Sequence, residues 1–446
     1  MERAFYIEHL GCAKNRVDAE KMSVSLVESG WRSVENAEAA ELIIVNSCGF
    51  IEPAKEESIA TTLELAERYP DKRIVLSGCL SERYGESLSK SLTEIDGVFG
   101  NRDPAKIDEF IESGTRFLAP KSNNIAPGSG SAVVGARTSY LKISEGCNNR
   151  CSFCAIPLIR GDLRSRDGAA ILNDFDRLLD EGVFEINLIA QDIASYGSDR
   201  NRDTESQSPF LSLIEGMLER SGVFWLRMLY LHPDHFPLPI FDLLKSDPRL
   251  LPYFDIPFQH ASKRLLQSMG RRGSSDIYLG LLEKIRSEIP DAVIRSTFLL
   301  GYPGERRSDY ETLLEFQKEA QIEWLGTFLY SPEEGTRAYR NHRKLTSRIA
   351  RTTGAHTRNQ RRRDEIELRQ ESISSARLER FVGSSLPVLI EEPLDKSNLA
   401  IGRAYLNAPE VDGNVVVHGE ALSPGELVTC RIIKLNGIDL EAIVVP

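Results

Sequence analysis

Three short apolar runs, Phe5 to Leu10, Leu42 to Val45 and Ile74 to Leu76, each end just before a cysteine. The cysteines are Cys12, Cys48 and Cys79, in His9-Leu-Gly-Cys-Ala, Asn46-Ser-Cys-Gly and Ser77-Gly-Cys-Leu. A weaker fourth run lies at Val98-Phe99, and helical stretches follow at about Val17 to Glu28, Pro53 to Tyr69, Glu82 to Leu92 and Pro104 to Glu112. Strand–helix alternation implies a parallel sheet, because each helix carries the chain back to the starting edge. All strands then end at one edge, where open α/β sheets bind ligands. One cysteine at a strand end is an ordinary small core hydrophobe. Three at the same topological position form a candidate three-thiolate site, although they are more than 30 residues apart.

The middle of the chain repeats the alternation. Its strand candidates are Tyr140 to Ile143, Glu185 to Ile189, Trp225 to Leu231, Tyr253 to Pro257, Val293 to Leu299 and Trp324 to Leu329. Six such units fit a full or partial α/β barrel, with reacting residues at the C-terminal strand ends. The loop after the first strand holds Cys147, Cys151 and Cys154 in Glu-Gly-Cys-Asn-Asn-Arg-Cys-Ser-Phe-Cys. Three thiolates this close wrap one metal centre and leave a position open. Structural zinc takes four ligands, usually in paired Cys-x2-Cys units, and no second pair follows. An iron–sulfur cubane with one iron free of protein ligand fits better, with zinc as the competing metal.

Composition narrows the setting. At roughly 100–200 residues per domain, 446 residues make two to four domains. With 41% hydrophobic and 27% charged residues the chain is of ordinary globular type. No run approaches a membrane span, and no apolar core follows Met1-Glu-Arg-Ala-Phe, so the expectation is a cytoplasmic protein with no membrane partner. In a reducing compartment the seven cysteines read as ligands and not as a disulfide framework.

Residues 120–131 are almost all turn and linker types, which marks a domain boundary. Beyond Phe381 come five short strands: Leu386 to Ile390, Leu399 to Tyr405, Val415 to Val417, Leu427 to Ile433 and Ile438 to Val445. They predict a small barrel. Cys430 alternates with Val428 and Ile432 there and reads as a core or surface thiol. The net charge of -11 is uneven. Arg337 to Arg380 carries 13 Lys/Arg and 5 Asp/Glu, whereas residues 381–446 carry 4 and 9. The basic stretch, with Arg361, Arg362 and Arg363, fits a solvated helical face or a phosphate contact equally well.

Cys147, Cys151 and Cys154, with Phe153 just before the last, resemble the signature of the radical S-adenosylmethionine (SAM) superfamily. That resemblance implies that SAM chelates the open iron through its amino and carboxylate groups and is cleaved to a deoxyadenosyl radical and methionine. With the three N-terminal cysteines and the C-terminal barrel, the chain resembles the methylthiotransferase family over essentially its whole length. The implied domains are an N-terminal methylthiotransferase domain (1–119), a radical SAM domain (133–375) and a TRAM domain (378–446) of OB-like barrel type. Gly11-Cys-Ala-Lys-Asn-Arg-Val-Asp-Ala-Glu20, Asn46-Ser-Cys-Gly-Phe-Ile-Glu-Pro-Ala-Lys-Glu-Glu-Ser58, Gly78-Cys-Leu-Ser-Glu-Arg-Tyr84, Ile143-Ser-Glu-Gly-Cys, Ala155-Ile-Pro-Leu-Ile-Arg-Gly161 and Ser165-Arg166 are similar to one branch. That branch acts on small-subunit ribosomal protein S-twelve. Ala19 is a mild departure, since serine is more usual there.

The resemblance implies two 4Fe–4S clusters, one on Cys147, Cys151 and Cys154 and an auxiliary one on Cys12, Cys48 and Cys79. The implied reaction takes a hydrogen from the β-carbon of an aspartate, inserts sulfur from the auxiliary cluster and adds a methyl group from a second SAM. A C–H bond beside a carboxylate has no usable acidity near neutral pH, so a cofactor must carry this chemistry. An electron donor and a sulfur donor are implied partners. TRAM domains of relatives commonly bind RNA, but an acidic barrel suits a basic ribosomal protein better than a phosphate backbone. RNA contact is therefore secondary. The competing readings are a transfer RNA methylthiotransferase and a zinc-stabilised RNA-binding protein.

Four further residues are candidates for SAM contact: Gln191 at the second strand end, Arg295 in the fifth strand, and Gly301 and Gly304 in Gly-Tyr-Pro-Gly-Glu after it. Structural hydrogen bonds and a plain tight turn are the alternatives. Asp192 is placed with Gln191. His232-Pro-Asp-His235 reads as a turn, and His260 as a strand-end polar group.

Overall fold

The computed structural model describes residues 3–120, 131–135, 137–200, 208–341, 354–394 and 397–445. The N-terminal runs form a six-stranded, all-parallel sheet in the order Arg32–Ser33, Ala4–His9, Leu42–Ser47, Arg73–Gly78, Gly97–Gly100 and Phe117–Leu118. Alternate residues of one strand serve opposite layers. Leu42 and Ile44 join Phe5, Val75 and Phe99 against Met22, Leu26 and Phe110. Ile43 and Val45 join Ile74, Leu76 and Val98 against Ala66, Leu80 and Leu92. Both faces are dry, so the strands read as continuous apolar runs.

The central domain is an open sheet of seven strands. Its order is Trp324–Leu329, Val293–Leu300, Leu250–Asp255, Trp225–Met228, Glu185–Ile189, Thr138–Lys142 and Ser131–Val134. The first six are parallel, as the sequence predicts for a partial barrel. The seventh, Ser131–Val134, pairs antiparallel with Thr138–Lys142 at the end of the expected linker, of which residues 121–130 lie outside the described residues. Even-numbered strand residues such as Ile186, Leu188, Leu226, Met228, Phe254 and Ile294 pack on the outer helices. The concave face carries Tyr140, Trp225, Tyr253, Val293 and Trp324 instead, and these pack on the C-terminal domain.

That domain is a closed five-stranded barrel, with strands Ser385–Leu394, Leu399–Arg403, Val415–His418, Asp439–Val444 and Leu427–Asn436 in spatial order. Cys430 is buried inside it with Val388, Ile390, Val417 and Ile432. The segment after the second barrel strand enters the concave face of the central sheet. There Trp324 Nε1 donates to Leu406 O (2.7 Å) and Arg227 Nη1 to Tyr405 O (2.6 Å). Glu185 is fully buried between Arg227 (2.7 Å) and Arg403 (2.6 Å), and Arg403 also meets Glu391 (2.5 Å). Charges this deep persist only because each finds its partners. The helix Gly354–Leu378 carries most of the described basic stretch, and residues 342–353 of that stretch lie outside the described residues. Among the described residues no helix is long and apolar enough to cross a membrane.

Candidate metal centres

The three N-terminal cysteines lie at neighbouring strand ends along one edge of the sheet. Cys12 caps the helix Ala13–Glu28, Cys48 follows the strand Leu42–Ser47, and Cys79 opens the helix Cys79–Ser91. Glycines let the three strand ends close on one another. A Cβ at Gly78 would lie 2.4 Å from Ser47 O, and one at Gly49 would lie 2.7 Å from Leu80 N. Each of these cysteines adjoins a glycine (Gly11, Gly49 or Gly78), a pairing visible in the sequence. Asn15 stitches the first loop to the second by donating to Leu10 O (2.9 Å), Asn46 O (3.2 Å) and Ser47 O (3.1 Å). Ser58 Oγ accepts from Cys48 N (3.0 Å).

The second set lies in the loop after Thr138–Lys142. Cys147 N donates to Gly161 O (3.2 Å), and Ser152 N to Met269 O (2.8 Å). Asn149 Nδ2 reaches Asp192 (2.9 Å), which also accepts from Ser195 Oγ (2.6 Å) and pairs with His235 (3.0 Å). Asp192 thus anchors the cysteine loop. His232 makes the expected turn, its Nδ1 accepting from Asp234 N (3.2 Å). His260 Nδ1 likewise accepts from Ala261 N and Ser262 N.

A buried charge network joins the two sets. Arg160 bonds Asp18 (2.9 Å) from the N-terminal domain and Glu145 (2.9 Å) from the central one. Lys142 completes a four-charge ring on the same two carboxylates (2.5 and 2.7 Å). Arg160 Nη2 also donates to Cys79 Sγ (3.1 Å), and so does Asn101 Nδ2 (3.3 Å). Cys79 packs directly on Ala155 and Ile159, just beyond Cys154, so both cysteine sets face one cleft. At the opposite rim Glu333 binds Lys55 (3.1 Å) and Arg83, closing the central domain on the N-terminal one.

The thiols suit a metal centre. Burial, with repulsion from neighbouring thiols, pushes Cys79 and Cys154 up to about 12 and Cys147 to about 11. Burial also raises Cys48. Thiols in such a place become thiolates when a metal supplies the compensating charge. Cys12 differs: burial pushes it up, but the Lys14 ammonium and the Arg160 guanidinium outweigh burial and leave it below the usual thiol range. Its side chain keeps an exposed surface although protein is dense around it. Among the described residues no three His, Cys, Asp or Glu side chains converge tightly enough for a single ion. A cubane spreads its ligands over different irons, so wider triangles of thiols accord with that donor set.

The four further candidates lie at different places. Both amide atoms of Gln191 are buried without a hydrogen-bond partner, as a residue awaiting a ligand would be. Arg295 is paired with Asp255 (3.2 Å) and Asp412 (3.3 Å) on the concave face. Gly301 faces the side chain of Asn359, which a Cβ would approach to 2.3 Å, and its N–H donates to Glu305 (2.6 Å). Gly304 borders open space at φ +89°. The turn they bracket delivers Tyr302 OH to Ser152 Oγ (2.8 Å), against the cysteine loop. In the basic stretch, Arg362 pairs with Glu305, Arg363 with Glu367 (3.6 Å), and Arg358 and Arg361 line a cavity of about 510 Å³ beside Tyr310. Lys14, Asp18, Asn101 and Arg160 border the cysteines, as candidate site residues that the sequence does not announce as such.

Comparison with known proteins agrees with this architecture. Residues 4–100 match the uncharacterized protein family UPF0004, residues 141–316 the radical SAM superfamily and residues 382–445 the TRAM domain. A solved radical SAM methyltransferase, TsrM from Kitasatospora setae, with cobalamin and a [4Fe-4S] cluster bound, is similar in fold (TM-score 0.54, 14% identity). That likeness covers 76% of this chain and 77% of the other. The chain is 39% identical to the ribosomal protein uS12 methylthiotransferase RimO of Treponema denticola, over 98% of this chain and 99% of that one. It is 38% identical to the protein of that name from Myxococcus xanthus (99% and 92% covered) and 39% to that from Aquifex aeolicus (97% and 95%). At this identity over nearly the full length of both partners, the chain belongs to the ribosomal protein uS12 methylthiotransferase family.

Proposed function

We propose that this chain is a radical SAM enzyme that adds a methylthio group to the β-carbon of an aspartate in ribosomal protein S-twelve. The observation that carries the reading is the packing of Cys79 on Ala155 and Ile159, which sets two three-thiol sites at one cleft. Cys147, Cys151 and Cys154 would hold the SAM-binding 4Fe–4S cluster, and Cys12, Cys48 and Cys79 the auxiliary one. When bound, these groups supply single-electron reduction, a carbon-centred radical, sulfur and a methyl group. The protein's part is placement. Asn149, Asp192 and Tyr302 fix the 147–154 loop, while Arg160 and Asn101 orient Cys79 through N–H bonds to its sulfur. The orphaned Gln191 amide would meet SAM, and Arg295 and the turn Gly301 to Gly304 would border it. An acidic surface supports a basic protein substrate, with an electron donor and a sulfur donor completing turnover in the cytoplasm.

The test is an anaerobic reaction with reconstituted clusters, SAM and a strong reductant. Ribosomal protein S-twelve and transfer RNA are offered in parallel and read by mass spectrometry. A methylthio-sized gain on an aspartate supports the reading; the same gain on an adenosine replaces it with the transfer RNA reading.

A further inference from the structure

Among the described residues Lys14 makes no ion pair within 4 Å, and neither does Arg271, which lies on the other side of the cleft near Cys147 and Cys154. Lys14 lies two residues beyond Cys12 on the first turn of Ala13–Glu28, with 7% of its surface exposed. Its Nζ sits 3.2 Å from the ring centroid of Tyr230. Tyr230 stands just past the strand Trp225–Met228, at the C-terminal edge of the central sheet, with φ 68°. The neighbouring cations are committed: Arg160 and Lys142 to Asp18 and Glu145, and Arg295 to Asp255 and Asp412. Asp255 and Glu145 act on Lys14 only at longer range, and the Cys12 thiol is its other anionic neighbour. A thiolate that ligates iron shares its charge with the metal, so it does not neutralise Lys14 fully.

A buried ammonium without a carboxylate is costly, and a ring face returns only about 0.5–2 kcal/mol. A ligand anion resolves the imbalance. We propose that Lys14 receives the side-chain carboxylate of the substrate aspartate and so positions its β-carbon in the cleft between the two cysteine sets. The β-carbon is one bond, about 1.5 Å, from the carboxylate carbon, so fixing the anion fixes the reacting atom. This inference rests on the proposed aspartate substrate. It makes Lys14 a positioning and specificity residue: an uncharged amide in the same place leaves the ammonium unpaired and is rejected.

The test measures affinity of the reconstituted enzyme with SAM, under anaerobic conditions, for ribosomal protein S-twelve and for the same protein with asparagine at the modified position. The unsubstituted enzyme should prefer aspartate by about tenfold or more, the scale of a charge-assisted hydrogen bond. Lys14→Gln and Lys14→Met should lose that preference while retaining affinity for the asparagine form, and Lys14→Arg should keep most of it. Equal affinity of the unsubstituted enzyme for both forms would overturn the proposal without recourse to any variant. A Lys14→Gln enzyme that keeps the preference, or loses both affinities alike, would also overturn it. An enzyme that never methylthiolates S-twelve at all defeats the substrate reading instead, which the mass spectrum reports separately.

Discussion

The guanidinium of Arg160 lies 3.1 Å from the sulfur of Cys79 and 2.9 Å from the carboxylate of Asp18. One central-domain side chain therefore touches both a cluster-ligand candidate and the helix that Cys12 caps. Removing it by Arg160→Ala leaves two buried carboxylates, Asp18 and Glu145, sharing the single cation Lys142, at an expected cost of about 3–5 kcal/mol. Chemical denaturation should show that loss, with iron bound at the N-terminal site falling in parallel. A variant of unchanged stability and full iron content would mean that the network is incidental to the site.

Cys151→Ala should abolish SAM cleavage, because the loop then lacks one of three thiolates for its cluster. Chromatography for deoxyadenosine after an anaerobic incubation checks this. Production at the unsubstituted rate would place SAM elsewhere.

Glu185 is held between Arg227 and Arg403 across the boundary of the central sheet and the barrel. Glu185→Ala leaves two buried guanidinium groups without that carboxylate, and a loss of about 3–5 kcal/mol is expected. Hydrogen exchange should quicken in the barrel strands before the rest of the chain. Unchanged protection there would contradict this account of the interface.

Asp412 enters the concave face with that barrel segment, and burial, opposed by Arg295, raises its carboxyl to about 6. An unfolded aspartate titrates near ~3.9. Between those values the folded protein holds a proton that the unfolded chain releases. The Asp412 contribution to stability therefore falls as pH rises from ~4 to about 6 and is level above. Comparing urea melts of the unsubstituted protein and Asp412→Asn across this window should show the difference declining in that direction. A difference that rises with pH, or stays flat, would refute the assignment.

Much of this architecture is legible in the sequence because it rests on local periodicity. Leu42 to Val45 is apolar on both faces and so reads directly as an interior parallel strand, and the cysteine after it inherits the strand's edge. Position 18 gives no such signal. Asp18 lies on a helix and finds Lys142 and Arg160 from another domain, and a contact that distant leaves no pattern in either segment. Lys14 reads as one more polar residue of a first helical turn until Tyr230 is seen beneath it. The concave face also escapes sequence reading. The segment around Leu406 and Asp412 looks like a barrel loop, yet it lies against Trp324, Tyr253 and Arg295. Ser131–Val134 was hidden for a different reason: small residues beside a glycine- and serine-rich run have the composition of a linker, and only pairing with Thr138–Lys142 makes them a strand.

The central claim is that two cysteine sets at one cleft divide the work, one serving SAM and the other the sulfur. Cys48→Ala tests it most directly, since it removes a ligand candidate of the N-terminal set alone. Deoxyadenosine and the mass of ribosomal protein S-twelve are measured in the same anaerobic reaction. The account predicts that SAM is still cleaved while S-twelve gains no methylthio group. Methylthiolated S-twelve from the Cys48→Ala enzyme would contradict it.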